Sequence, residues 1–209
     1  VSLAILAEIE ATLRARLGKP SLVLADYFDL IGGTSVGAMI GTLLALGKDV
    51  AYVRDRFEKW APRIFEPSAL GWLSPMFDAR RLRGLVQSEV FDWTMRSDKL
   101  RTGLCIVTKR LDTGSVWVVT NNPGDPFFEG RPAEGNRPAR IGNGDYKLLD
   151  LIRASTAAPR YFSPTRIRIF DGPDDGLFVD GAVSPHNNPA LQLFMMAGIS
   201  GYNLGRADI

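Results

Sequence analysis

Gly33-Thr34-Ser35-Val36-Gly37 decides how this chain is read. Upstream, Tyr27 to Ile31 is a short apolar run of strand length. Downstream, Val36 to Leu46 is rich in helix formers, contains no proline and stops before Gly47, a residue type suited to closing a helix. A G-x-S-x-G between a strand and a helix has the pattern of a nucleophile elbow, a sharp turn that leaves the serine hydroxyl exposed at the edge of a sheet. The helix that begins there directs its free N–H groups and positive dipole end toward any oxyanion formed beside the serine. Gly37 and Gly41 lie four apart, which leaves one helix face bare where it is expected to press on the sheet. Two phosphate-binding motifs are excluded directly. Ala38 and Met39 stand where a P-loop needs Lys and Ser or Thr, and Gly32-Gly33-Thr34 does not supply G-x-G. The alternative to an elbow is a glycine-rich turn holding a structural serine.

Working outward, Leu3, Leu6, Ile9, Leu13 and Leu17 mark a helix closed by Gly18. Asp49 starts another through Val50, Val53, Phe57 and Trp60, with Pro62 as its expected stop. Residues 62–78 are irregular but carry Phe65, Leu70, Trp72, Leu73, Met76 and Phe77. That pattern fits a lid or lipid-facing rim, and equally a loop tucked onto the core. Leu100 to Thr108 and Ser115 to Thr120 flank Asp112-Thr113-Gly114 and predict a hairpin. Asn121 to Asp145 reads as a surface excursion, Lys147 to Ser155 as a helix, and Thr165 to Phe170 and Leu177 to Val179 as strands. The acidic turn between those strands has the wrong spacing for a calcium loop, and Ala182 stands where an EF-hand needs Glu. No metal or cofactor is expected. The alternation of helices and strands predicts an α/β domain with the sheet covered on both faces.

The chain has 209 residues, 45% hydrophobic and 23% charged, the make-up of one globular domain. A net charge of +2 gives no footprint for nucleic acid. Arg80, Arg81 and Arg83, and again Arg160, Arg166 and Arg168, form basic clusters that suit anionic lipid or simply a solvated surface. Cys105 lies in an apolar run and is expected in the core. No apolar run reaches transmembrane length. Both ends read as cut: Val1 opens directly into a helix, and Gly201 to Ile209 stops as a loop enters a strand.

A serine needs a base to take its proton. His186 is the one histidine. It precedes Asn187-Asn188-Pro189, a helix start, and lies only six positions after Asp180, too close for the separate strands of a histidine triad. Asp180, at the C-terminal end of Leu177-Phe178-Val179, is placed to accept the Ser35 proton if the two strands are neighbours. A turn Asp that caps the next segment fits the same spacing.

Gly32 to Ala38, followed later by Val179-Asp180-Gly181-Ala182, resembles the patatin-like phospholipases. Ala154 to Phe162, Asn187-Asn188-Pro189-Ala190 and Tyr202 to Ile209 resemble further segments of that family in the same order. The resemblance covers nearly all of residues 1–209. It implies a single patatin-like domain with a three-layer α/β/α fold and a mainly parallel central sheet, truncated at both ends. It further implies a Ser–Asp dyad, with Ser35 as nucleophile, Asp180 as general base and the Val36 amide helping to hold the oxyanion. Gly33, Thr34, Gly37, Gly181 and Ala182 complete the two motifs. The family's glycine-rich oxyanion loop lies upstream of the first helix and is absent from this sequence. The implied activity is hydrolysis of carboxylic esters in phospholipid or related acyl lipids, with transient contact to a lipid surface and a cytoplasmic or peripheral-membrane location. A non-catalytic lipid-binding relative and a His-dependent α/β-hydrolase are the competing readings.

Overall fold

A computed structural model describes residues 1–67, 75–172 and 175–198. Along the chain the elements are α1 (Ser2–Leu17), β1 (Leu30–Thr34), α2 (Val36–Ala45), α3 (Val50–Ile64), α4 (Ala79–Val90), β2 (Gly103–Arg110), β3 (Val116–Thr120), α5 (Leu148–Ser155), β4 (Thr165–Arg168), β5 (Asp175–Asp180) and α6 (Ala190–Ala197). Leu70, Trp72, Leu73 and the segment Gly201 to Ile209 lie outside the described residues.

Side-chain alternation along β2 sets the layers. Leu104 and Ile106 face a core that includes Met39 and Leu43 of α2 and Leu148, Leu151 and Ile152 of α5. Cys105 and Val107 face the other way, onto Leu193 and Met196 of α6. Helices therefore cover both faces, as expected from the alternation of elements, and Cys105 is fully buried. Among the described residues, no helix is long and apolar enough to cross a membrane.

The expected mainly parallel sheet gives way to a mixed one. β1 and β2 are parallel, whereas β2–β3, β2–β5 and β4–β5 are antiparallel. For β2–β3 and β4–β5 the cause is the length of the connection: only five and six residues separate these strands in sequence, too few for the crossover that a parallel pair needs. The register carries a further consequence. Cys105, Ile106 and Val107 pair with both β1 and β3, so those strands lie on opposite edges of β2. Thr108 and Lys109 pair with both β3 and β5, which puts β5 on the same edge as β1. β1 ends against Val107 and β5 ends against Thr108. The two strands are not side-by-side neighbours. They run head-on along one edge of β2, and their C-terminal ends meet.

Three local expectations shift. The strand begins at Leu30, not Tyr27, because Tyr27 and Phe28 are exposed after a 3₁₀ turn at Leu24–Asp26, while Gly32 and Gly33 are drawn into the strand. α3 continues through Pro62 to Ile64, since Trp60 and Ile64 are buried and hold its last turn on the core. Gly41 does press on β1, with its missing Cβ 3.4 Å from Ile31, but a Cβ on Gly37 would meet nothing within 4 Å.

Candidate active site

Ser35 alone separates β1 from α2, and the chain has one residue in which to reverse from strand to helix. It does so at φ 58°, ψ −126°, a backbone conformation unusual for a residue with a side chain. The turn is this tight because α2 starts directly over Gly33. A Cβ built there would lie 2.0 Å from the Gly37 carbonyl oxygen. Thr34 ties the turn to the loop before α6 by donating its hydroxyl to the His186 carbonyl at 3.0 Å.

Asp180 closes β5 from the opposite direction and is 2% exposed. Its Oδ2 accepts a 2.5 Å hydrogen bond from the Ser35 hydroxyl, and its Oδ1 accepts from the Ala182 amide at 2.8 Å. The Asp180 amide donates to Ala157, and the Thr108 hydroxyl donates to Val179 next door. Both carboxylate oxygens are thereby fixed, with one lone-pair direction aimed at Ser35. Gly181 is required beside it, because a Cβ there would sit 2.4 Å from the Val107 carbonyl oxygen. Burial raises the Asp180 pKa above the ordinary Asp value, while the bonds from Ser35 and Ala182 pull it back.

His186 takes no part in this pair. Its ring lies beside Gln192, with Nε2 of Gln192 3.2 Å from Nδ1, and it does not line the cleft over Ser35. Val36 is the first residue of α2, so its amide has no i−4 carbonyl within the helix and belongs to the electropositive helix end.

Sequence reading did not single out Ser155. Its buried hydroxyl accepts from the Ser35 amide at 2.8 Å and donates to the Val107 carbonyl at 2.6 Å. It thereby bridges the strained elbow to the point on β2 where the two strand ends meet. A polar last residue on a helix otherwise carrying Leu148, Leu149, Leu151 and Ile152 was the available signal. Ser155→Ala leaves a buried N–H and a buried C=O without this partner. It is expected to cost about 1–3 kcal/mol in urea unfolding and to lower kcat with KM little changed.

A cleft of about 420 Å³ opens over Ser35 and Asp180. Its walls are Met39, Phe57, Ile64, Phe77, Leu82 and Phe162, and Ser35, Asp180 and Thr156 are its polar lining. Phe65 and Tyr161 also line it and remain about half exposed. The 75–78 segment is held there by Met76 and Phe77 amides donating to Arg160 and Tyr161. Of the apolar side chains between 62 and 78, the described Phe65 and Phe77 thus form wall and rim. Such a lining suits an apolar chain with a polar group at the serine.

The family model described as Patatin-like phospholipase matches residues 7–194. A cGAMP-activated phospholipase of Vibrio cholerae is 31% identical over 91% of this chain and 52% of its own length. A protein of the same description from Escherichia coli is 30% identical over 78% of this chain and 44% of its own length. Patatin-03 of Solanum tuberosum is 26% identical over 80% of this chain and 42% of its own length. The chain thus spans about half the length of these relatives.

Proposed function

Because the chain belongs to the patatin-like phospholipase family, we propose that it is a lipid acyl hydrolase working through a Ser35–Asp180 dyad. The observation that carries this reading is the 2.5 Å hydrogen bond from the Ser35 hydroxyl to a buried carboxylate at the floor of an apolar cleft. As the Ser35 oxygen attacks the ester carbonyl carbon, Asp180 takes its proton. The electropositive start of α2, with the Val36 amide, faces the negative charge that develops on the carbonyl oxygen. Collapse breaks the ester C–O bond, and Asp180 returns the proton to the departing alkoxide. Asp180 then takes a proton from a water as that water attacks the acyl carbonyl carbon, and gives it to the Ser35 oxygen as the bond from Ser35 to the acyl carbon breaks, releasing a carboxylic acid and restoring Ser35.

Residues 1–209 form one such domain, a reading supported by the continuous core that joins α1 partners to Phe178 of β5. The substrate is an ester of a long acyl chain, supported by the apolar cleft. Delivery from a lipid surface at the periphery of a membrane is supported by half-exposed Phe65 and Tyr161 at its rim.

The test is release of fatty acid from phosphatidylcholine vesicles, together with labelling by a long-chain fluorophosphonate and mass mapping of the adduct. Two relatives are named for activation by cGAMP, so the assay runs with and without it. The adduct is expected on Ser35. An intact, folded protein that releases no fatty acid and takes no label under either condition would favour a non-catalytic lipid-binding role.

A further inference from the structure

On the opposite edge of β2 from Ser35 and Asp180, a second cleft of about 380 Å³ runs along β3. Trp117, Val119, Phe127, Ile169 and Phe170 give it apolar walls, and Arg140 and Asn143 supply its polar groups. Arg140 is only partly satisfied internally. Asn143 is 6% exposed and lines the cleft beside Arg140. Arg140 is half-buried and has no carboxylate within ion-pair distance among the described residues. Its guanidinium donates once, to the Glu129 carbonyl, and lies 4.9 Å from the centre of the Phe127 ring. A half-buried guanidinium that spends one donor on a carbonyl keeps others free for an anion entering the cleft.

Both side chains stand on fixed backbone. Arg140 exchanges two main-chain hydrogen bonds with Arg131, the neighbouring Ala139 carbonyl and Ile141 amide pair with Asp171 and Ile169, and the Asn143 amide donates to Phe127. Gly142 between them permits this, since a Cβ there would lie 2.3 Å from the Phe128 carbonyl oxygen. The cleft is therefore built by the Asn121–Asp145 excursion folding back over β3.

We infer that this cleft binds a single-chain amphiphile with a carboxylate head, the carboxylate meeting Arg140 and Asn143 and the chain lying along Trp117 and Phe170. An apolar trough with one cation and one amide donor matches that chemistry: the walls desolvate the chain, and the charge-assisted bonds hold the head. A free fatty acid is also the product released by the hydrolysis proposed above. That link rests on the proposed function, whereas the binding site itself does not.

Titration calorimetry with laurate tests it on the intact chain, with dodecanol as the uncharged analogue. Laurate is expected to bind wild type at least about tenfold more tightly than dodecanol. Arg140→Gln is expected to bring laurate down to the dodecanol level, Arg140→Lys to retain part of the difference, and Asn143→Ala to weaken laurate as well. Fluorophosphonate labelling of Ser35 should be unchanged in Arg140→Gln. Equal laurate affinity in wild type and Arg140→Gln would overturn the assignment, because laurate held over Ser35 would behave in that way. So would laurate binding no tighter than dodecanol in wild type, a comparison that needs no variant. Since calorimetry needs no turnover, an inactive protein leaves the binding result readable.

Discussion

Asp180→Asn is expected to lower kcat by about 10²- to 10⁴-fold, and Ser35→Ala by at least as much, while the double variant falls no further than Ser35→Ala alone. The asparagine keeps the shape of the side chain and can still accept from Ala182. Its NH₂ group, however, must face the Ser35 oxygen, which then becomes an acceptor and keeps its own proton. Once Ser35 is gone, Asp180 has no proton to take, so the second loss has nothing left to remove. Steady-state kinetics on the three variants measure this. Losses that multiply in the double variant would mean that the two groups act independently, and an undiminished Asp180→Asn would point to another base. The pH profile gives a matching sign. Burial holds the Asp180 pKa above its unfolded value, so activity is expected to fall on acidification above the pH at which an exposed Asp protonates. For stability the direction reverses. A raised carboxyl pKa favours the folded state at low pH, and that contribution is lost as the pH rises through the folded pKa. Asp180→Asn should therefore melt at or above wild type at neutral pH, which separates lost chemistry from lost fold.

Gly33→Ala should be the most damaging small change to the fold around the site. The new methyl would lie 2.0 Å from the Gly37 oxygen, 2.1 Å from its carbonyl carbon and 2.6 Å from the Ala38 nitrogen. All three are backbone atoms at the start of α2, so no side chain can rotate away. Either β1 and α2 separate or the turn at Ser35 opens, and each outcome moves the hydroxyl away from Asp180. A loss above about 3 kcal/mol in chemical denaturation is expected, the upper range for overpacking, with activity lost even where the variant folds. Gly37→Ala is the contrast. Its Cβ meets nothing within 4 Å and its φ is not positive, so replacing a helical glycine should be neutral or stabilise by up to about 1 kcal/mol. If the two alanine variants were equally damaging, the elbow would not be limited by the approach of α2 to Gly33.

The pair of motifs around Ser35 and Asp180 was legible because each rests on local chemistry. The glycines, the proline-free helix after Ser35 and the small residues after Asp180 shape the backbone within a few residues of themselves. The N-cap at Asp49, the Asp112-Thr113-Gly114 hairpin and the helix ending at Ser155 were legible for the same reason. Strand direction was not. β5 reads the same from its side chains whether it joins β2 parallel or antiparallel, because inward and outward residues alternate in either sense. Ser155 was also hidden. Its value lies in bridging the Ser35 amide and the Val107 carbonyl, 120 and 48 positions away, and no local pattern reports such a partner.

By itself, then, the sequence determined which two residues make up the candidate dyad, since a sharp glycine-flanked turn and an acid closing a strand are properties of short segments. Only the tertiary structure decided how they meet. β1 and β5 approach from opposite directions along one edge of β2, and hydrogen-bond register on that shared strand stops them one residue apart, which is what delivers a hydroxyl and a carboxylate to the same point.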